Sequence, residues 1–482
     1  MKLTARVDAR SLPLQPSPSI HASNRTMSRL ALLLSVSTLT LVFPLNGQQI
    51  ASEDPADLAR AAIVIDVSGL ASGDAPALVA IGRAVGNARI VMIGEPWHGD
   101  GGAIRARAGL VRYLHEQLGF DVLAFEADFY SLNAGWPRVR GADDVAPFAR
   151  DNVFPFWSAS RAAQPLWEYV ALQRSTSRPL QITGFDIRHT GRLAHTELPR
   201  ELRRRLVATF PHPDAAGLDT AAFFATLHRL LTLEWNYKAP AAERERFVGV
   251  LTRLARAWET RTPGHSANDA FWAQEARSLA WAGDYAWVGK SRDRAMAENF
   301  AWLVAHRFPG RKIIVWAHNN HIIADHRMYL DAPDSTVRAS VARMSPAQRD
   351  SFAYFGDAVR RLFKENVFVI ATLSHEGSYS PLIDVRGFVD SATGAHYVSA
   401  FDSVRVLPPT PPGSLEAALA ARGFCAAFLD LRPFGSRQEP VRTRAIDYTR
   451  SPALAMRWWV GYDAFLFVRH TFGLNEAPSK CD

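Results

Sequence analysis

The 482-residue chain contains only two cysteines, Cys425 and Cys481. Neither position indicates a catalytic nucleophile, so thiol chemistry is not expected. Cys425 lies in the apolar run "GFCAAFLDL", which favours a buried thiol, whereas Cys481 lies in the C-terminal tail. A disulfide between the two is compatible with the sequence but is not required by it.

Lysine is also scarce, since it provides only six of the 55 basic residues. The formal net charge of +8 and the sequence pI of about 9.6 would favour nucleic acid or a membrane surface as a partner. The charge is scattered, however, and no run of consecutive lysines or arginines forms a basic arm. We therefore expect no nucleic-acid partner.

The N-terminal region has one apolar stretch, at residues 30–43. It follows Arg29 and is shorter than the roughly 20 residues that span a membrane. A charged start followed by an apolar stretch of this length is typical of a signal peptide, with Met27 as an alternative start. We predict a leader over residues 1–50, export to the periplasm or medium, and no stable membrane insertion after cleavage. A signal anchor is the alternative, and no cysteine follows to make a lipoprotein.

Two common catalytic fingerprints are missing. The first strand leads into G-E-P-W-H-G, which is neither G-x-G-x-x-G nor a phosphate-binding loop. There is no G-x-S-x-G elbow, and the nearest serine–histidine pair, Ser374 and His375, is a weak candidate. Nucleotide binding and serine-nucleophile chemistry are therefore disfavoured.

From about residue 61, short apolar runs alternate with amphipathic ones. Such alternation predicts an α/β fold in which helices flank a mostly parallel central sheet. The body, residues 51–482, is expected to form one domain with a helical insertion at about 193–299. Strands are predicted at residues 89–95, 121–128, 180–186, 311–319, 366–374, 424–431 and 464–470. The clearest helices are predicted at residues 103–119, 165–176 and 241–260.

Polar residues cluster where the predicted strands end. Ligands of an open parallel sheet bind at the carboxyl ends of its strands, so these residues are candidates for a site. Glu126 lies inside an apolar run, where a carboxylate needs a partner. Asp186 has a helix cap as its alternative role, and His318 has that of a hydrogen-bonded core histidine. The strand-end set comprises Glu95, His98, Glu126, Asp128, Asp186, His318, Asn319 and His321.

Histidines beside glutamates suit acid–base chemistry near neutral pH, and they also suit a metal site. His318 and His321 would point to opposite faces of an extended strand, so binding one metal would require a turn between them. Three interpretations stay open: a hydrolase whose histidine activates water, a metal-dependent hydrolase or peptidase, and an exported module that binds haem or a metal through His98 or His318.

Five motifs together resemble the erythromycin esterase family, from about residue 61 to near the C-terminus. The resemblance implies an α/β core with added helices and a hydrolase that opens a macrolide lactone, with no metal or other cofactor. The motifs are GEPWHG (residues 94–99), FEAD (125–128), GFD (184–186), SRDRAMAEN (291–299) and WAHNNHI (316–322).

By this resemblance His98 is the general base acting on water, and Glu95, Glu126, His318 and Arg292 match the other site positions. Glu95 or Glu126 would orient His98, and His318 would be a second proton donor or an oxyanion partner. Arg292 would anchor a carboxylate or support the oxyanion.

A small-molecule ester is the expected partner, and Trp97, Asp186 and His321 are expected to contact it. The "DGG" that follows the histidine–glycine pair, with Asp100 first, departs from the family pattern beside the base. This departure leaves the identity of the ester open.

Overall fold

The structure is a computed structural model. It describes residues 55–66, 76–213, 217–232, 237–260, 267–350, 353–381, 388–389, 396–397, 403–449, 453–478 and 481. The predicted leader and signal peptide lie outside these residues. Within them, no helix combines the length and apolar character needed to span a membrane.

The strands of the described chain match the predicted apolar runs closely. The strands are β1 (Ile63–Ile65), β2 (Ile90–Glu95), β3 (Val122–Asp128), β4 (Gln181–Asp186), β5 (Ile313–His318), β6 (Val367–Tyr379), β7 (Phe388–Val389), β8 (His396–Tyr397), β9 (Arg405–Leu407), β10 (Ala426–Asp430), β11 (Val441–Thr443), β12 (Leu454–Met456) and β13 (Ala464–Thr471). The short strands β1, β7–β9, β11 and β12 were not indicated by the sequence pattern.

Helices fill most of the connections between these strands. Those between β4 and β5 account for the long stretch predicted as helical. The helices are α1 (Ala56–Ala61), α2 (Pro76–Val85), α3 (Gly101–Leu118), α4 (Phe129–Gly135), α5 (Val145–Asn152), α6 (Pro155–Ser158), α7 (Gln164–Gln173), α8 (Arg192–Thr196), α9 (Leu198–Thr209), α10 (Thr220–Leu231), α11 (Ala241–Glu259), α12 (Ala267–Val288), α13 (Arg292–Trp302), α14 (Arg327–Leu330), α15 (Ser335–Ala342), α16 (Pro346–Asp350), α17 (Phe355–Phe363) and α18 (Leu415–Ala421).

The main sheet has the order β1-β10-β13-β6-β2-β5-β3-β4. Neighbouring strands from β13 to β4 are parallel. At the other edge β10 runs antiparallel to both β13 and β1, and β9 pairs antiparallel with the end of β6. This arrangement confirms the α/β fold with a mostly parallel sheet.

The central strands are buried because helices cover both faces of the sheet. In β2, Ile90 and Met92 pack into one hydrophobic cluster, while Val91 and Ile93 pack into the other. Successive side chains of a strand point to opposite faces, so a strand covered on both sides needs apolar residues at every position. Each such side chain contributes roughly 1.5–3 kcal/mol on burial.

Helix α3 begins two residues before its predicted start, directly after the G-E-P-W-H-G turn. Asp100 caps it by accepting a hydrogen bond from the Ala103 N–H, at 2.8 Å. Gly119 ends it with a φ of 74°, the left-handed conformation that glycine adopts without strain. The "DGG" departure from the family pattern is therefore a helix start.

Many of the aromatic residues between β4 and β5 lie in the core. Trp258 and Phe247 are almost fully buried. Phe223 stacks on Phe247 with ring centroids 5.2 Å apart. These side chains hold the helices together, because large rings provide the most buried apolar surface.

The sequence left the pairing of the two cysteines open, and the structure pairs them; the burial expected for Cys425 is only partial. Cys425, just before β10, is half-buried and forms a disulfide with Cys481. The described part of the chain has no free cysteine. The apolar run around Cys425 predicted burial correctly for most of β10 but not for Cys425, which precedes the strand.

Candidate active site

The strand-end residues of the sequence prediction meet at one edge of the sheet. Glu95 ends β2 and His318 ends β5, and these two residues are direct partners in the parallel register. Asp186 ends β4 and is paired with Asp128 at the end of β3. Parallel strands placed side by side therefore bring their terminal carboxylates and imidazoles together.

His98 lies in the turn after β2, where Glu95 holds it by one ring nitrogen. Nδ1 of His98 is 2.7 Å from Oε1 of Glu95. A carboxylate only accepts hydrogen bonds, so the neutral ring donates from Nδ1 and keeps its lone pair on Nε2. Nε2 has no hydrogen-bond partner among the described residues, which leaves it available to a water molecule.

Aromatic rings enclose His98. Phe156 stacks on the imidazole with centroids 4.7 Å apart, and the ring edges of Trp157 and His318 approach at 5.2 and 5.1 Å. Burial lowers the pKa of His98 well below its ordinary 6.5, and the positive charge that His318 and His321 can carry lowers it further, against the opposing effect of Glu126. His98 is therefore a neutral base at pH 7.

Arg107, on the buried face of α3, forms an ion pair with Oε2 of Glu95. The guanidinium lies 3.8 Å from the centre of the Trp316 ring and is fully buried. Trp157 Nε1 donates to Glu95 as well, at 3.1 Å. Sequence reasoning missed Arg107, although its spacing of three from Ile104 on a helix placed it on the apolar face.

Both ring nitrogens of His318 are engaged by backbone groups. The N–H of Asn320 donates to Nδ1, and Nε2 lies 3.1 Å from the carbonyl oxygen of Pro96, to which it donates. Burial lowers the pKa of His318 to about 4, and the neighbouring charge of His321 adds to this effect. In this arrangement His318 is neutral and fixed, and it has no free nitrogen to offer a substrate.

Glu126, near the end of β3, is buried among positive groups. Oε1 accepts from Nη2 of Arg292 at 2.7 Å and lies 3.3 Å from Nε2 of His321. Oε2 accepts from the backbone N–H of His318 at 3.0 Å. Burial raises the pKa of Glu126, but His321 and Arg292 outweigh it and hold that pKa far below its ordinary value.

Arg292, the first residue of α13, donates hydrogen bonds from Nε and Nη2 to carboxylates. Its Nε and Nη2 donate to Asp186 at 2.8 and 2.6 Å. Asp186 also accepts from Nε of Arg188 at 3.0 Å. Burial raises the pKa of Asp186, and the two arginines override it and bring the pKa to about 2. Asp186 and Arg292 thus hold each other rather than a ligand.

His321 reaches the same cluster because the chain turns after β5. Its Nδ1 lies 2.6 Å from Oδ1 of Asp293, and its ring centre is 6.4 Å from that of His318. Burial lowers the pKa of His321, but Asp293 and Glu126 outweigh it, and the pKa is raised. His321 is therefore buried between two carboxylates that favour its protonated form.

Trp97 is half-buried beside His98, and its Nε1 donates to the carbonyl oxygen of Ser380 at 2.9 Å. Asp100 is fully buried and accepts from Ser374 at 2.6 Å and from Tyr448 at 3.0 Å. These contacts fix the loop that carries His98 against β6 and the segment before β12.

Metal-ligand geometry occurs elsewhere. Within the described residues, the three-donor group that could hold an ion comprises Asp325, His326 and Asp357. Its two carboxylates already form ion pairs, with Arg327 and Arg361 respectively. The donors of Glu95, Glu126 and His318 are likewise engaged by protein groups, as described above.

The fold and the site together define an α/β protein with a buried cluster of histidines and carboxylates at the carboxyl edge of a parallel sheet. The chain belongs to the erythromycin esterase family, because the family model described as "Erythromycin esterase" matches residues 115–471. The family is one of hydrolases. The matched range starts after Glu95, His98 and Arg107, and it includes Glu126, Asp186, Arg292, His318 and His321.

One curated relative is similar over a short region. The "Putative hydrolase YbfO" of Bacillus subtilis (strain 168) is 36% identical over 101 residues, which are 20% of this chain. The match spans 22% of that protein's length.

Three solved structures have a similar fold. A Bacillus cereus protein superposes with a TM-score of 0.64 at 16% identity, covering 88% of this chain and 98% of that one. A succinoglycan biosynthesis protein gives 0.57 at 14% identity with the same coverage. A mutant of the erythromycin esterase EreC in its open conformation gives 0.57 at 17% identity, covering 86% of this chain and 98% of that one. At these identities the likeness supports the fold alone.

Proposed function

We propose that the protein hydrolyses carboxylic esters by activating water at His98. One observation carries this proposal: His98 is neutral, its Nδ1 is held by Glu95 at 2.7 Å, and its Nε2 has no partner in the described structure. A histidine oriented in this way by a carboxylate is the general base of many hydrolases.

In the proposed reaction a water molecule donates a proton to Nε2 of His98 while its oxygen attacks the ester carbonyl carbon. The carbonyl π electrons move to the carbonyl oxygen, which becomes an oxyanion. Collapse of this intermediate breaks the bond to the alcohol oxygen, and the imidazolium returns its proton to that oxygen. Glu95 stabilises the imidazolium between the two steps.

The deeper charges support this centre without taking part in it. Glu126 accepts from the backbone N–H of His318, and the side chain of His318 packs against the ring of His98. Arg292 and His321 hold Glu126 in turn. Glu126, His318, Arg292 and His321 are therefore positioning residues in this proposal, and Trp97, next to His98 in the chain, is proposed to contact the substrate.

The proposed substrate class is a small-molecule ester, with macrolide lactones such as erythromycin as the specific candidates that the family name suggests. Export to the periplasm or medium is part of the proposal, since the apolar stretch at residues 30–43 has the layout of a signal peptide. A paired Cys425 and Cys481 is in keeping with an oxidising compartment.

The test is hydrolysis by the chain without its leader, on erythromycin and a series of simple aryl esters, with and without EDTA. His98→Ala should reduce kcat by about 100- to 10,000-fold, the contribution of a general base. His228→Ala is the matched control, because His228 is exposed on α10. Circular dichroism and thermal melting establish that both variants fold.

Each alternative gives a distinct result. Activity that EDTA abolishes and zinc or manganese restores would favour the metal-dependent hydrolase. A bound chromophore or stoichiometric metal with no turnover would favour the binding module. An EDTA-resistant activity that survives in His98→Ala would overturn the role of His98.

A further inference from the structure

Arg188, in the loop after β4, is a partly exposed cation of the site with unused donors. Its Nε donates to Asp186 at 3.0 Å, and its Nη2 lies 3.9 Å from Oε1 of Glu126. At 3.9 Å this second contact is an ion pair rather than a hydrogen bond. Neither terminal nitrogen of Arg188 therefore has a hydrogen-bond partner among the described residues.

The other arginines of the site are not available in this way. Arg292 donates from Nε and Nη2 to three carboxylate oxygens, and its Nη1 lies 3.2 Å from Nε2 of His321. Its side chain is 1% exposed, and that of Arg107 is fully buried. The side chain of Arg188 is 10% exposed, so it reaches the space outside the buried cluster.

An aromatic ladder connects Arg188 with the base. The guanidinium lies 5.2 Å from the centre of the Phe154 ring, Phe154 stacks on Phe156 at 5.3 Å, and Phe156 stacks on His98 at 4.7 Å. The positive charge of Arg188 also contributes to lowering the pKa of His98, so the two side chains interact electrostatically. Arg188 and His98 therefore flank the same pair of aromatic rings.

The loop that carries Arg188 is rigid and borders open space. The next residue, His189, is buried and anchored to Glu275 of α12 at 2.7 Å. On its other side the loop lines a small, open pocket together with apolar residues that include Leu231, Ala282 and Trp287. A cation fixed between a pocket and a base has the placement of a substrate contact.

We propose that Arg188 is a catalytic residue that donates to the ester carbonyl oxygen and stabilises the oxyanion formed when water attacks. This inference rests on the proposed function at His98. It assigns to Arg188 the oxyanion role that the family resemblance suggested for Arg292.

The test compares Arg188→Gln and Arg188→Lys with wild type on the best ester of the panel. Arg174→Gln is the matched control, since Arg174 also lies over an aromatic ring, that of Trp136 at 4.8 Å, and has no contact with the site. Loss of one oxyanion donor typically lowers kcat by about 100- to 1,000-fold. We expect this loss in Arg188→Gln with little change in KM, an intermediate loss in Arg188→Lys, and none in Arg174→Gln.

A second measurement separates catalysis from packing. Removing the charge of Arg188 should raise the pKa that governs the acid limb of kcat/KM, and Arg188→Lys should leave that limb in place. A rise in KM at unchanged kcat, or a kcat of Arg188→Gln close to wild type while His98→Ala is inactive, would overturn this inference alone. Absence of any esterase activity in wild type would overturn it together with the proposed function.

Discussion

His318 and His321 lie three residues apart in the chain, yet their surroundings shift their pKa values in opposite directions. The imidazole of His318 meets two backbone groups and no carboxylate at hydrogen-bond distance, so burial dominates and keeps it neutral. His321 lies between Asp293 and Glu126, and their charges outweigh burial. The ionic state of each histidine thus follows from its partners rather than from its residue type.

The pH profile of the enzyme tests the state of His98. Because its pKa lies well below 6.5 and the base must be neutral, activity should be lost only as the pH falls through that lowered value. We expect kcat/KM to be level near neutral pH and its acid limb to have a midpoint clearly below 6.5. A midpoint at or above 6.5 in a kcat/KM titration would contradict a neutral, buried base.

Arg107 and Glu95 form a buried ion pair whose removal should be costly. Arg107→Met leaves the charge of Glu95 uncompensated in the interior, and breaking such a pair typically costs about 3–5 kcal/mol. We expect urea titrations to show this loss in the free energy of unfolding, and to show part of it restored in the double variant Arg107→Met/Glu95→Gln. Arg174→Met is the control, and a double variant less stable than Arg107→Met would contradict the pairing.

The residues at the strand ends could be predicted from sequence, but their partners could not. Glu95, Glu126, Asp186 and His318 each directly follow an apolar run, and the topology of a parallel sheet brings such positions together. Arg107, Arg188 and Asp293 lie on helices and a loop, and their side chains reach the site only through tertiary packing. For this reason the positions of the site were predictable, whereas the distribution of its charge was not.

At the scale of elements, the site depends on how closely β2 approaches the turn after β5. The side-chain amide of Asn319 donates to the carbonyl oxygens of Thr372 and Ala445, at 2.8 and 2.7 Å. These two hydrogen bonds fix the position of the turn that carries His318 and His321. Gly94 of β2 faces it, and a Cβ there would lie 2.9 Å from Cα of Asn319 and 2.7 Å from Ile322.

Gly94→Ala should therefore displace the turn. Overpacking of this kind costs about 1–3 kcal/mol in stability, and a shift of about 1 Å in a catalytic group lowers the rate by about 100-fold. We expect both effects, measured by thermal melting and by kcat on an ester. Gly141→Ala is the matched control, because nothing lies within 4 Å of a Cβ at Gly141 and its φ of −122° suits any residue. Equal activity in the two variants would contradict the close approach.

Element prediction was accurate where a segment is continuously apolar and longer than about five residues, as in β2 and β3. It failed for β1 and β9, which have only three residues each and an exposed position in each strand. The sequence pattern also left open whether β10 runs parallel or antiparallel to its neighbours, since an apolar run indicates burial but not strand direction. The pairing of β10 with β13 and β1 is decided by chain connectivity.

At the scale of the whole molecule, stability should depend on pH through His189. Burial lowers its pKa, but Glu275 outweighs this and raises it to about 9. Above pH 6.5 the folded state therefore holds a proton that the unfolded chain releases. The stabilisation is complete below 6.5 and is lost as the pH rises through about 9, which amounts to about 3 kcal/mol.

Urea titrations between pH 6.5 and 9.5 measure this decline. In Glu275→Gln the partner charge is gone, so the decline should be clearly smaller than in wild type. Glu365→Gln, in the exposed turn before β6, is the control and should retain the wild-type slope. Identical slopes in wild type and Glu275→Gln would show that the His189–Glu275 pair is not ionised.

The disulfide between Cys425 and Cys481 also orders events in time. Cys481 follows β13 in the chain, so the bond can close only after every strand of the main sheet has been synthesised. Reduction of the bond would therefore release the part of the chain after β13 from the residue before β10 without breaking any strand pairing of the main sheet.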